Sequence, residues 1–183
     1  MNNEGVEMDR FECGTEAATP MSGSLELCVD SDWAQMGRVN EDIYRFLVSC
    51  KLSEELAARY TMVACELTEN GIKYGNPDKS PGGVHVRIRL EGGEIYLEVS
   101  SAVGDESKPF LVELDRTIQW ARGFQDPFEA YIARLRAISH EPLDIDRSGL
   151  GLVRITYEGR AALDFYLEED RTLSVSAVSQ LNN

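Results

Sequence analysis

The sequence predicts an α/β sandwich of two layers, in which helices cover one face of a mixed, mostly antiparallel sheet. Two kinds of hydrophobic periodicity support this prediction. Apolar residues recur every three or four positions over residues 32–50 and 54–74, as in helices that lie on a core. Residues 84–90 and 94–99 alternate apolar and polar side chains, as in strands with one buried face. The 183 residues, 43% of them hydrophobic, suffice for one substantial core.

One domain is predicted over residues 23–183, preceded by a flexible N-terminal tail over residues 1–22. The tail is polar and lacks periodicity, whereas the alternating run SLELCV after Gly23 predicts the first strand. Ser53 is placed to cap the helix of residues 54–74, because its hydroxyl can accept a hydrogen bond from a free backbone N–H of the first turn.

The second half of the chain returns to strands after a helical insertion. The turn Glu91-Gly92-Gly93 predicts a hairpin. Residues 104–147 are charged and predicted to contain one or two amphipathic helices, as a lid, a partner-docking element or simple padding. Aromatic residues here are expected to pack rather than stack on a ligand: Phe110, Trp120, Phe124, Phe128 and Tyr131. A short helix at about 152–159 precedes two strand-like runs, AALDFYLEED and TLSVSAV.

The charge balance points away from nucleic acids and anionic membranes. Lys and Arg total 18 against 32 for Asp and Glu, which gives a formal net charge of −14 and opposes attraction to phosphates and anionic lipids. The chain shows no signal-like start and no apolar run long enough to span a membrane. We therefore expect a cytoplasmic protein whose ligand is a protein partner or a small molecule.

The stretch ELTENGIKYG places a carboxylate and a carboxamide on one helical face. Glu66 and Asn70 are four residues apart, so both side chains lie on one stripe beside the buried stripe through Leu67. Carboxylate and amide oxygens are ligands that Mg²⁺ accepts while it bridges to the phosphates of a nucleotide. The same spacing suits an ordinary polar edge of a helix, and from this stretch alone that alternative stays open.

The stretch RSGLGLVRITYEG carries Gly149 and Gly151 at the start of a predicted helix. A glycine turn that leads into a helix N-terminus can present backbone N–H groups to phosphate oxygens. A tight turn that needs glycine for its backbone angles is the plain alternative. Lys73 and Arg154 lie next to the two stretches, where they could meet phosphate charge or form surface ion pairs.

The two stretches, in this order and separated by a hairpin and a helical insertion, resemble the GHKL (Bergerat-fold) ATPase superfamily, and most closely the bacterial anti-sigma-factor serine kinases. ELTENGIKYG looks like the N box and SGLGLVR like the G2 box, and the resemblance covers roughly residues 24–178. It implies ATP and Mg²⁺ as cofactors, Asn70 as the metal ligand and Glu66 as the general base. The nucleotide-binding residues it implies are Asn70, Lys73, Ser101, Gly104, Ser148, Gly149, Leu150 and Gly151.

The G1 box of the family is degenerate in this chain. The family pattern is DxGxG after a strand, and its Asp accepts a hydrogen bond from adenine. Here SSAVGDES follows the strand, with Ser101 in the Asp position and Gly104 as the nearby glycine. A serine supplies no negative charge, and a charge-assisted bond in a dry pocket is worth about 1.5–3 kcal/mol. Asp105 could replace the missing carboxylate if the loop is rearranged.

Two functions from different classes follow. One is an ATP-binding regulator that resembles an anti-sigma-factor serine/threonine kinase, in which Glu66 activates a serine hydroxyl of a protein partner. The partner implied by the resemblance is a sigma factor or an anti-sigma-factor antagonist, and a homodimer is a further expectation. The other function is a non-catalytic protein-interaction module that kept the scaffold with weak or no nucleotide binding.

Overall fold

A computed structural model describes residues 8–13, 22–30, 32–76, 83–140, 150–169 and 171–181 of the chain. These residues form the predicted two-layer sandwich, a sheet with helices on one face. The strands are β1 (Met8–Cys13), β2 (Gly23–Val29), β3 (Val84–Glu91), β4 (Glu94–Ala102), β5 (Ala162–Leu167) and β6 (Thr172–Gln180). The helices are α1 (Met36–Ser49), α2 (Glu54–Tyr74), α3 (Lys108–Arg122), α4 (Pro127–His140) and α5 (Leu150–Tyr157).

The described strands follow the order β1-β2-β3-β4-β6-β5, and each neighbouring pair is antiparallel. The expectation of a mixed sheet was wrong for these strands. A parallel pair needs a crossover that returns the chain to the same end of the sheet, and a single helix commonly provides it. Two helices, α1 and α2, lie between β2 and β3, so the chain re-enters the sheet in the opposite direction.

β1 lies inside the segment that was expected to be a tail without regular structure. It pairs with β2 from Met8↔Leu27 to Cys13↔Gly23 and forms one edge of the sheet. The fold was expected to start at residue 23, and this was wrong for residues 8–13, which belong to the sheet. Edge strands pair with one neighbour through backbone hydrogen bonds and are often short. A six-residue edge strand leaves little periodicity to detect in the sequence.

Alternation along the central strands separates the two faces of the sheet. In β3, Val84, Val86, Ile88 and Leu90 are buried under the helices, and the intervening residues are exposed. The open face is polar, because Arg87 forms ion pairs with Glu26 of β2 at 2.9 Å and with Glu98 of β4 at 3.0 Å. This pattern confirms the prediction of helices on one face only.

α2 crosses the sheet at the centre of the helical layer. Ser53 caps it as predicted, because its hydroxyl accepts a hydrogen bond from the Leu56 N–H at 3.3 Å. Tyr60 is fully buried, and its hydroxyl donates to Ser179 Oγ of β6 at 3.1 Å. The buried residues of α2 are Ala57, Tyr60, Thr61, Val63, Ala64, Cys65, Leu67, Thr68 and Ile72.

The helical insertion contains two helices with different degrees of burial. α3 enters the core through Leu114 and Ile118, which are 1% and 2% exposed. α4 lies outside it and packs on α5, where the rings of Phe128 and Tyr131 each lie 5.2 Å from the ring of Tyr157. The expected packing role of these two aromatic residues is consistent with these contacts.

Hydrogen exchange should distinguish α2, α3 and α4. We expect the amides of α4 to exchange faster than those of α2, since Ala130 is the one buried residue among the described side chains of α4. α3 should be intermediate, because its buried residues tie it to the core. Exchange measured by mass spectrometry on peptides from each helix tests this order. Equal protection of α4 and α2 would contradict it and indicate a rigid insertion.

Candidate functional site

Glu66 and Asn70 lie one turn apart at the edge of α2, as their spacing predicted. Glu66 faces α5, and its side chain is 22% exposed. Asn70 is half-buried and lines a small cavity between α2 and the sheet. Its side-chain amide has no hydrogen-bond partner among the residues that the structure describes. The two side chains therefore lie on one continuous rim of α2, Glu66 against α5 and Asn70 at the cavity.

The start of α5 meets Glu66 directly. A Cβ at Gly151 would lie 2.4 Å from Glu66 Oε2, so only glycine allows the carboxylate to occupy this position. Arg154, one turn further along α5, donates from Nη1 to Glu66 Oε1 at 3.0 Å. Its Nε donates to Glu158 Oε2 at 2.9 Å. One guanidinium thus holds the Glu66 carboxylate against α5.

The charge of Glu66 affects two neighbouring side chains on this rim. Burial, together with the nearby charge of Glu66, raises the pKa of Glu69, while Arg154 opposes the shift. Burial raises the pKa of the Cys65 thiol, and the carboxylates of Glu69 and Glu66 add to that effect. The hydrogen bond from Asn40 Nδ2 to Cys65 Sγ, at 3.5 Å, acts in the opposite direction. The rim therefore favours the approach of a cation.

The small cavity beside Asn70 is almost filled by aromatic rings. Ser101, 6% exposed, lines it from β4, and Phe110 of α3 lines it from above. The rings of Tyr74 and Phe110 stack with centroids 3.6 Å apart and planes 7° apart. About 10 Å³ remains for water, which is room for a single molecule. Phe110 packs as the sequence analysis expected, and it does so over Ser101.

The loop after β4 is anchored beneath this stack. Gly104 is buried, and its N–H donates to Ser107 Oγ at 3.4 Å. Ser107 in turn donates its hydroxyl to the Tyr74 carbonyl at 2.8 Å. Asp105 is turned outward, where Lys108 Nζ lies at 3.0 Å and Arg171 Nη1 at 2.9 Å. In this arrangement Asp105 does not replace the carboxylate that the G1 box lacks.

The remaining predicted residues are distributed around the same rim. Lys73 lies near the cavity with its Nζ 5.2 Å from the centre of the Tyr74 ring. Leu150 begins α5 and is half-buried. Ser148 and Gly149 lie outside the described residues. The structure thus brings Glu66 and Gly151 into contact and places Asn70 beside Ser101, while the binding roles of all these residues stay predictions.

A second cavity, of about 570 Å³, was not predicted from the sequence. It lies between α3, the turn before α4, α5 and the start of β5. Arg122, Arg160 and Thr117 contribute polar groups to its walls. Its lining comes from two separate stretches of the chain, 117–127 and 152–163, without a shared motif, so no local signal could have identified it.

In the part of the chain that the structure describes, no group of three or more His, Cys, Asp or Glu side chains is arranged to hold a metal ion. None of the helices in this part of the chain has both the length and the hydropathy that crossing a membrane requires.

The raised pKa of Glu69 gives a testable pH dependence. A carboxyl whose pKa is higher in the folded than in the unfolded state stabilises the fold below about pH 4.3, and this contribution is lost as pH rises through the folded pKa. Glu69→Gln should therefore raise Tm at pH 7 relative to wild type but not at pH 4. Thermal unfolding across this pH range measures the effect. Glu113→Gln is the control, because Glu113 is an exposed residue of α3. An equal rise in Tm at pH 7 and pH 4 would contradict this prediction.

Comparison with known proteins supports the fold and leaves the family open. A chain of the crystal structure of the SiaB–SiaC complex from Pseudomonas aeruginosa superposes with a TM-score of 0.60. The alignment covers 81% of this chain and 84% of that chain at 21% sequence identity. No protein-family model and no curated protein matches the sequence. The fold is therefore shared with this solved structure, while membership of the GHKL superfamily stays a prediction.

Proposed function

We propose that this chain is an ATP-binding regulatory protein that acts on a protein partner, with its nucleotide site between α2 and the start of α5. The contact between Glu66 and Gly151 supports this most strongly. Glu66 and Arg154 are 88 positions apart in sequence and 3.0 Å apart in space. The two stretches that resemble the N box and the G2 box therefore line one rim. Neither stretch, taken alone, predicts that the other lies beside it.

The side chains fit a magnesium ion better than they fit adenine in this conformation. Asn70 offers an amide oxygen suited to Mg²⁺, while Glu66, one turn away, is held by Arg154 and is left for proton transfer. The space beside Ser101 holds about one water, because the Phe110 ring fills it. A nucleotide base therefore requires α3 to move away from α2 at Phe110.

The residues of this rim have separable roles in the proposal. Mg-ATP would supply a transferable phosphoryl group. Glu66 accepts the proton of a partner hydroxyl, and Arg154 orients its carboxylate for that task. Lys73, beside Asn70 on α2, supplies positive charge near the phosphates. In its more specific form, the proposal is that this chain is a protein kinase.

A protein partner is supported by the solved structure that shares this fold, which is a complex of two proteins. The chain itself carries a net charge of −14, so a partner with a basic contact surface is favoured electrostatically. Among candidate partners, a sigma factor or an anti-sigma-factor antagonist follows from the resemblance to anti-sigma-factor kinases. A second copy of the chain is a further candidate.

The second candidate function is a protein-interaction module without nucleotide. The stacked rings of Tyr74 and Phe110 favour it, because they fill the space that a base would need. Ser101 favours it too, since it supplies no charge for the adenine amino group. Nucleotide binding distinguishes the two functions.

Mg-ATP should stabilise the wild-type protein. At a hundred times the dissociation constant, mass action adds about 2.7 kcal/mol, which raises Tm by about 5–10 °C for a domain of this size. Asn70→Ala should abolish the shift, and Phe110→Ala should increase it at subsaturating ATP, because the ring no longer fills the cavity. Differential scanning fluorimetry measures both effects.

Asn40→Ala provides the matched control, since Asn40 lies on α1 and contacts Cys65 rather than the cavity. It should retain the full shift. If neither wild type nor Phe110→Ala responds to millimolar Mg-ATP, the nucleotide proposal is wrong and the interaction module is the better description.

Phosphoryl transfer should depend on Glu66 more than binding does. Glu66→Gln should keep the thermal shift with Mg-ATP, because Asn70 rather than Glu66 is proposed to hold the ion. It should lower transfer of labelled phosphate to a copurified partner by 10²-fold or more, since an amide is not a general base. Transfer at the wild-type rate in Glu66→Gln would exclude Glu66 as the base.

A further inference from the structure

The second cavity has the dimensions of a ligand site. Its volume of about 570 Å³ lies within the range of about 300–1,000 Å³ that is typical of small-molecule pockets. Its apolar wall consists of Ile118, Leu152 and Leu163, which are 2%, 8% and 4% exposed. Because these side chains belong to the core, the wall is preformed.

The charged residues of this cavity differ in what they already bind. Asp126 caps α4, because its Oδ1 accepts a hydrogen bond from the Phe128 N–H at 2.9 Å. Arg122 donates to the Leu163 carbonyl at 2.6 Å and forms an ion pair with Asp164 at 3.3 Å. Arg160 is exposed, and its guanidinium has no ion pair within the described residues. The cavity thus presents one uncommitted cation.

Arg160 lies at the cavity wall beside Ala161 and Leu163. Arg122 of the same lining is already paired with Asp164, so Arg160 is the cation of this cavity that is open to a ligand. An apolar cavity with a few convergent polar groups and one fixed charge is the usual form of a small-ligand site.

The backbone at Arg160 determines which substitution tests its side chain cleanly. Arg160 follows α5 with a φ of +49°, in the left-handed region that glycine and asparagine adopt most readily. Lys51 and Arg171 share this conformation, so the angle by itself assigns no role to the side chain. It makes glycine a replacement that removes the charge without straining the backbone.

We propose that this cavity binds a small organic anion with an apolar body. Arg160 binds the carboxylate, sulfonate or phosphate group, and the apolar body packs on Ile118 and Leu163. This site is separate from the proposed nucleotide site and does not rest on ATP binding.

A pair of fluorescent probes tests the charge requirement on the full chain. Anilinonaphthalenesulfonate is an aromatic anion, and phenylnaphthylamine has a similar apolar body without the charge. Titration should show saturable binding of one sulfonate probe per chain and at least tenfold weaker binding of the neutral probe. Arg160→Gly should weaken the sulfonate at least tenfold while Tm stays close to wild type, since glycine suits the backbone there.

Lys51→Gly is the matched control, because exposed Lys51 also has a positive φ, of 69°, and lies at the end of α1 away from the cavity. It removes the same charge and should leave probe binding unchanged. Ala121→Phe, which fills the cavity from α3, should abolish binding of the sulfonate. Equal affinity in Arg160→Gly and wild type would overturn the proposal, as would equal loss in Lys51→Gly or binding that survives Ala121→Phe.

Discussion

The close packing of α2 on the sheet at Gly71 is the contact on which the rest of the described structure depends. A Cβ at this position would lie 2.9 Å from Val84 Cγ1 and 3.2 Å from Val99 Cγ1, closer than side-chain atoms ordinarily approach. The absence of that Cβ lets the helix lie against β3 and β4. This depth brings Asn70 to the level of Ser101, so that both line one cavity. A helix held further out would separate the two residues.

α5 also packs closely against α2 because a glycine at the contact has no Cβ. Gly151 gives the Glu66 carboxylate room to lie on the first turn of α5, and Arg154 secures it from the next turn. The ion pair is partly exposed, so its contribution to stability is small, of the order of 0–1 kcal/mol. Its main consequence is geometric, because it fixes the Glu66 carboxylate between Arg154 and Gly151, one helical turn from Asn70.

The sequence predicted the features that local periodicity encodes. α2 begins and ends where its capping serine and apolar stripe indicated, from Glu54 to Tyr74, and the β3–β4 hairpin turns at Gly92 and Gly93, both of which have positive φ. The N-box-like and G2-like stretches were also recognisable as motifs. The contact between Glu66 and Gly151 was not among the predictions and is known from the structure.

The features that the sequence did not predict depend on long-range pairing. β1 is a strand because its backbone pairs with β2. The direction of β3 depends on how the two helices before it lead the chain back to the sheet. The stack of Phe110 on Tyr74 joins α3 to α2 across the whole β3–β4 hairpin, so nothing near Phe110 indicates it. The large cavity is likewise assembled from walls that are remote in sequence.

α3 connects the two cavities physically. Phe110 and Leu114 on its first half line the small cavity, and Thr117 and Ile118 on its second half line the large one. Leu152 of α5 lines both. Because a helix of 15 residues moves largely as a rigid body, a displacement of α3 that makes room beside Ser101 also changes the wall of the large cavity. A nucleotide base that displaced Phe110 would therefore also shift Thr117 and Ile118 in the wall of the large cavity.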